Sequence, residues 1–447
     1  MAQRESWATR TGFILAAVGS AVGLGNIWRF PYQVGEYGGA AFLVVYLLLV
    51  AFVGFPVMLA EFTIGRYTKR NPVGALNEIG RGIGSKIGWV FVAAGFVILS
   101  YYSVVAGWIL QYIVIGLQGN YAAGGAGVQF GATTGGLTSV LTHALFMGAV
   151  IGIVAFGIRD GIELSVKLMV PAIIALLIGL AVYAGTLSGA SEAYAYYLSP
   201  ELGTIASNWT EILPAAAAQA FFTLSLGMGV MITYASYLGE DRNLAKDGLI
   251  IVGFDTLIAF TAGLVAFPIL FTANLTETTD GPGFIFVSLS EAFSSVPFGG
   301  LLGAVFFATV AIAALSSAIS IMEVVVSYLI DEHDIGRVPA VSALGIAIFL
   351  VGVPVAYDQS SGLVWLTVYD GLANQILLIL GGLLLALFVG WFKPDLGLEE
   401  INKGFRNLGA KGEIWIWALR IPVIVLLLVV LWYNGTSVYG SLAGIFG

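Results

Sequence analysis

The chain has 447 residues, of which 59% are hydrophobic and only 10% charged, and its mean hydropathy is +0.95. A soluble globule carries roughly 25% charged residues, so the composition excludes one and indicates a bilayer. The net charge of −8 speaks against nucleic-acid binding, while the lack of cysteine excludes disulfides and thiolate metal sites.

No small-residue cleavage site follows the basic start at Arg4, so the first apolar segment is read as a retained helix rather than a signal peptide. A helical crossing takes about 20 mostly apolar residues. Eleven such segments follow in order, near 11–36, 40–65, 88–117, 139–158, 163–186, 211–238, 247–272, 299–330, 339–356, 362–391 and 414–433. The expected fold is therefore an all-α membrane protein with 11 transmembrane helices in one domain. Between spans 7 and 8, the apolar run 283–292 is too short to cross and is read as a re-entrant or lid-like segment. With only His143 and His333, a histidine-built metal site or proton relay is not expected; His143 is read as solvated or structural.

Orientation follows from Lys and Arg. Arg4 and Arg10 precede span 1, and Arg66, Lys69, Arg70, Arg81 and Lys86 follow span 2. Arg159, Arg242, Lys246, Arg337, Lys393, Lys403, Arg406 and Lys411 fall in later loops of the same side. The alternate loops 118–138, 187–210, 273–298 and 357–361 hold none. This predicts a cytoplasmic N-terminus and, with eleven crossings, an extracellular C-terminus.

Span 1 is interrupted by Gly19-Ser-Ala-Val-Gly-Leu-Gly-Asn26, and span 6 by Ser225-Leu-Gly-Met-Gly229. Glycine is a poor helix propagator. Span 1 opens the first five crossings and span 6 the next five, and broken segments at matching positions of two halves point to a transporter binding site. Unwinding bares carbonyls for a cation and amides for a carboxylate. The competing reading is close helix packing through small residues; two clusters with polar neighbours favour unwinding.

The run Gly19-Ser-Ala-Val-Gly-Leu-Gly-Asn-Ile-Trp-Arg-Phe-Pro31 resembles the first-helix signature of the neurotransmitter:sodium symporters. Phe221-Phe-Thr-Leu-Ser-Leu-Gly-Met-Gly229 with Ile232-Thr-Tyr-Ala-Ser-Tyr237 resembles their sixth helix, Leu315-Ser-Ser317 their eighth, and Trp7-Ala-Thr-Arg10 their N-terminal segment. The resemblance implies a LeuT-type fold: a 5+5 inverted repeat with discontinuous helices 1 and 6, residues 11–186 and 211–391 forming the halves and 414–433 an extra helix.

It also implies two sodium sites. The first is the Ala21 carbonyl with the side chains of Asn26, Thr223 and Asp255. The second is the carbonyls of Gly19, Val22 and Ala313 with the hydroxyls of Ser316 and Ser317. All-oxygen shells suit a hard cation. Many members carry Asn at position 255, and bacterial ones often a Glu where this chain has Ala259; Asp255 is expected to replace both and make transport chloride-independent. A buried, protonated carboxyl is the alternative for Asp255, and hydroxyls bonded back to their own helix the alternative for the serines.

For substrate, the resemblance implies a carboxylate held by the amides of Leu24 and Gly25 and by Tyr102. The ammonium would lie near the carbonyls of Ala21 and Phe222 and near Ser225, with Ser317 alongside. The side chain would sit among Ile98, Phe222, Met228 and Ile321. Position 23 is Gly, where monoamine carriers place Asp, so an amino acid is expected. Arg29 and Asp370 resemble an outer gate, and Arg4 and Asp331, with Trp7, Ser236 and Tyr237, an inner one. Glu61 is expected to bond amides of the broken sixth helix; Glu323 is given no role.

The expected function is sodium-coupled symport of a hydrophobic or aromatic amino acid, in the lipid bilayer and without enzymatic chemistry or an obligate protein partner. Uptake of a compatible solute such as glycine or a betaine is a rival, weakened because only Phe222 and Tyr102 would build an aromatic cage. An amino-acid-binding sensor or a channel is the rival of another class.

Overall fold

The computed structural model describes residues 5–122, 125–275, 279, 281–360, 363–403 and 409–446. Regular structure there is helical, with no strand among the described residues. Among the described residues nine helices are long and apolar enough to cross a membrane: Ala40–Thr68, Pro72–Leu117, Gly136–Ala155, Ile158–Ala184, Leu244–Thr272, Gly299–His333, Arg337–Tyr357, Val364–Phe392 and Ala410–Ile445. A further crossing is a bent pair, Arg10–Ala21 with Gly25–Glu36, whose axes differ by 48°. The sixth apolar segment forms two helices, Leu202–Thr223 and Val230–Ser236, separated by a run of turns. Val230–Ser236 is too short to cross alone, and Leu202–Thr223, though 22 residues long, is interrupted at Asn208 and too polar in its first half to count as an apolar crossing by itself.

The glycines explain the sixth break. Gly227 and Gly229 both sit at φ 77, a left-handed conformation glycine adopts freely, and Ser225 joins them at φ 52. A Cβ on Gly227 would lie 2.1 Å from the Leu378 carbonyl oxygen, so the turn is pressed against span 10. Buried amides freed by the turn need acceptors. Glu61 supplies one, its Oε1 lying 2.8 Å from the Gly227 amide, in the role expected of it.

The interior is built on Pro72–Leu117 and Gly299–His333, which make the most extensive pairing. The basic stretch after span 2 is helical rather than a loop: the helix starting at Pro72 is capped by the Asn71 side chain and kinks at Arg81 (φ 55) before span 3. The short apolar segment between spans 7 and 8 forms helix Phe284–Leu289 continued by Ser290–Ser294. It does not cross. Tyr112 donates to the Phe286 carbonyl (2.9 Å) and Trp28 to that of Gly281 (3.0 Å), which ties it over span 1.

Gly65 in span 2 packs against span 6, where a Cβ would lie 2.0 Å from the Ile232 carbonyl oxygen. Backbone yields little, so Gly65→Ala is expected to destabilise the fold by about 3 kcal/mol, the upper end of overpacking effects. Thermal unfolding in detergent measures this.

Candidate functional site

The two breaks meet. Ser225 Oγ donates to the Ser20 carbonyl (2.9 Å) and Gln219 Nε2 to that of Gly25 (2.8 Å). Between them lies a small cavity of about 20 Å³. All ten residues expected to touch substrate line it, together with Ser20 and Gly23. That volume admits about one water, so the walls must spread around anything larger. A far larger groove of about 750 Å³, lined by Trp209, Trp432 and their apolar neighbours, opens on the outer surface without converging polar groups.

The cavity is polar at one end. The Leu24 amide donates to the Tyr102 hydroxyl (3.2 Å). The other end is apolar, with Ile98, Met228 and Ile321 each at most 3% exposed. Such a chamber matches a molecule with a charged head and an apolar tail.

Asp255 is fully buried. Its Oδ1 accepts from Asn26 Nδ2 (2.7 Å) and Thr223 Oγ1 (3.1 Å). No Lys or Arg lies in ion-pair range of it among the described residues. A buried carboxylate is costly unless paired. Asn26, Thr223 and Asp255 are thus gathered at one point, with Ala21 on the adjoining cavity wall, as a donor set that fits a monovalent cation.

The second oxygen cluster is also assembled. Ser316 Oγ lies 2.7 Å from the Gly19 carbonyl, 2.9 Å from that of Ala313 and 3.4 Å from that of Val22. Ser317 Oγ lies 2.9 Å from the Ser20 carbonyl and 3.2 Å from that of Val22. Each hydroxyl has one proton, so two protons face four carbonyl oxygens. The surplus lone pairs fit a hard cation. The serines reach across to span 1 besides bonding their own helix, so back-bonding alone does not describe them. Among the described residues no group of three or more His, Cys, Asp or Glu gathers for a metal, and both clusters use carbonyl, hydroxyl and amide oxygen with at most one carboxylate.

Ser20 and Ser320 escaped the sequence reading. Ser320 Oγ donates to Ser20 Oγ (2.7 Å), which itself approaches Ser225 Oγ (3.2 Å). The available signal was spacing: positions 316, 317 and 320 share a helix face.

The gates differ in outcome. Arg29 and Asp370 make no direct ion pair. The Arg29 guanidinium lies 5.2 Å from the centre of the Phe222 ring, and Asp370 accepts from Tyr101 (2.9 Å) and Asn374 (3.3 Å). Each of the two expected partners thus meets a neighbour other than its opposite charge, Arg29 an aromatic ring and Asp370 a tyrosine hydroxyl. Arg4 falls outside the described residues. Asp331 accepts from the amide and side chain of Asn71, at 2.8 and 3.2 Å. Trp7 donates to the Tyr234 carbonyl (3.0 Å) and meets the rings of Tyr234 and Tyr237 edge-on. Ser236 Oγ bonds the Thr233 carbonyl (2.5 Å).

Glu323 acquires partners that periodicity could not reveal. It is fully buried, accepts from Tyr237 (2.7 Å) and pairs with Arg337 at 2.7 and 3.1 Å. Arg337 also reaches Glu5 (3.0 Å). Arg337→Gln strands a buried carboxylate, so it is expected to destabilise by about 3–5 kcal/mol, read as a fall in unfolding temperature that Glu323→Gln in the same chain partly reverses. His143 is fully buried rather than solvated, stacked on Phe349 (4.7 Å), with Nε2 3.1 Å from its carbonyl oxygen.

The comparisons with known proteins agree with this geometry. The sodium:neurotransmitter symporter family model matches residues 4–134 and 131–439. An uncharacterised sodium-dependent transporter of Bacillus subtilis, YhdH, is 34% identical over 95% of this chain and 96% of its own. One of Methanocaldococcus jannaschii is 36% identical over 90% and 85%. The crystal structure of MhsT in complex with L-phenylalanine superposes with a TM-score of 0.88 at 42% identity, covering 97% of this chain and 100% of that one. This is the LeuT-type fold, and the symporters it serves are transporters rather than enzymes. With nearly its whole length matched and two interrupted helices enclosing oxygen-lined clusters, the chain belongs to the sodium:neurotransmitter symporter family.

Proposed function

We propose that the protein carries a hydrophobic or aromatic L-amino acid into the cell with sodium, by alternating access and without chloride. The observation that carries this is the cavity at the two breaks, polar around Leu24 and Tyr102 and apolar around Ile98, Met228 and Ile321. The L-phenylalanine held by MhsT supports the same substrate class.

In this reading the substrate carboxylate takes up the amides of Leu24 and Gly25 and the Tyr102 hydroxyl. Its ammonium faces the carbonyls of Ala21 and Phe222 and Ser225. One sodium ion sits at Ala21, Asn26, Thr223 and Asp255, and a second at Gly19, Val22, Ala313, Ser316 and Ser317. Asp255 supplies the fixed negative charge that would otherwise come from chloride. Residues 11–186 and 211–391 act as two inverted halves, with the N-terminus cytoplasmic and the C-terminus outside. Arg29, stacked on Phe222, closes the outer path with Asp370 beside it. Trp7, Tyr237, Ser236, Asp331 and Arg4 close the inner one.

The driving force suffices. One charge crossing 100 mV releases about 2.3 kcal/mol, and a tenfold gradient adds roughly 1.4 kcal/mol. Two sodium ions moving with a zwitterion supply about 7 kcal/mol, enough for an accumulation on the order of 10⁵-fold.

The test is uptake into proteoliposomes with a panel of labelled amino acids, glycine and betaine, in sodium or potassium and in chloride or gluconate. Sodium-dependent, chloride-indifferent uptake of aromatic or branched amino acids is expected; uptake confined to glycine or betaine rejects the substrate class. Tyr102→Phe removes one carboxylate contact and should weaken substrate binding about tenfold. Sodium binding without substrate should remain.

A further inference from the structure

Arg420 sits in the last long helix, at the same level as the end of span 10. Its Nε donates to the Gly390 carbonyl (2.6 Å), and Trp391 Nε1 approaches the Arg420 carbonyl (3.3 Å). Its guanidinium lies 5.5 Å from the Trp391 ring centre and 5.0 Å from that of Trp417. Both indoles are about half exposed, 55% and 53%, on a face that also presents Phe392 and Ile421.

Depth is set by two independent features. Span 10 ends at Phe392, and Lys393 and Pro394 follow. Tryptophan marks the level where hydrocarbon meets headgroups. The guanidinium is therefore at an interface, on the side that carries the Lys and Arg loops. An arginine at this depth is usually paired. Among the described residues no Asp or Glu lies within ion-pair distance of it; Glu413, on the same helix face, is two turns away. The end amino groups of the guanidinium keep donors that neither indole nor the Gly390 carbonyl takes up.

We propose that Arg420, clamped between Trp391 and Trp417, binds the phosphate of an anionic phospholipid in the leaflet on the basic side of the bundle. A guanidinium fork matches phosphate geometry, and flanking rings hold its plane toward the membrane. Anionic lipid is enriched in the cytoplasmic leaflet, the side assigned here to these loops. The fixed fork predicts selectivity for a headgroup with net negative charge over a zwitterionic one.

The experiment is native mass spectrometry and thermal unfolding of the full chain in detergent, titrated with phosphatidylglycerol, phosphatidylcholine or inorganic phosphate. Wild type should retain phosphatidylglycerol at least fivefold more than phosphatidylcholine and gain thermal stability saturably, with no response to inorganic phosphate. Arg420→Gln should lose that preference, and Arg420→Lys should recover part of it. If Arg420→Gln does not fold, Trp417→Leu serves, with an expected severalfold loss of retention. Equal retention of both lipids by wild type, or an unchanged preference in the folded variants, overturns the site. The readout needs no transport, so it stands or falls separately from the proposed substrate.

Discussion

Asp255→Ala should abolish sodium-stimulated binding of a labelled aromatic amino acid, and Asn26→Ala should do the same. Asp255 is fully buried, and its two side-chain donors, Asn26 and Thr223, are neutral. A sodium ion beside it would be the charge that balances it. At about 4 Å, two unit charges interact by about 4 kcal/mol at an effective dielectric of 20, so even partial screening leaves a large effect. Asp255→Asn keeps the shape and removes the charge; the sodium concentration for half-maximal binding should rise at least about tenfold. If Asp255 were instead protonated and structural, Asp255→Asn would leave the sodium response unchanged. Wild-type sodium stimulation in both Asn26→Ala and Asp255→Ala would remove the first site.

Gly23→Ala should eliminate substrate binding while leaving the protein folded. A Cβ at position 23 would lie 2.4 Å from Ser317 Oγ and 2.7 Å from the Tyr102 hydroxyl. Neither neighbour is free to retreat. Ser317 Oγ bonds the carbonyls of Ser20 and Val22, and the Tyr102 hydroxyl accepts the Leu24 amide. One methyl group therefore displaces the proposed carboxylate contact and the second oxygen cluster together. A loss of about 100-fold or more, roughly 2.7 kcal/mol, is expected in equilibrium binding. Gly82→Ala is the matched control, since a Cβ there meets nothing within 4 Å. Near-normal affinity in Gly23→Ala would show that the cavity around this glycine is not the binding site.

The sites were legible to unequal degrees. Where a signature run of several residues carries the chemistry, as at 19–31 and 221–229, the expected residues arrived together around one cavity. Single charged residues were harder. Arg29 and Asp370 pair by sign, but in the structure Arg29 stacks on Phe222 and Asp370 accepts from Tyr101, with no direct ion pair between them. Glu323 had no role from its own helix because its partners, Arg337 and Tyr237, come from different elements. The basic stretch after span 2 read as a loop, since its charges obscured a helix whose cap is Asn71.

The sequence alone determined that the chain lives in a bilayer, roughly where it crosses, and where two crossings lose their helix. Hydropathy and glycine act locally, over one or two turns, so a linear reading captures them. Tertiary structure decided which hydroxyl meets which carbonyl, as Ser316 and Ser317 meet Gly19, Ser20 and Val22. It also decided which buried charge finds which partner. Those outcomes depend on the rotation and depth of helices hundreds of residues apart in the chain, and a rotation of one residue, about 100°, would turn every such group elsewhere.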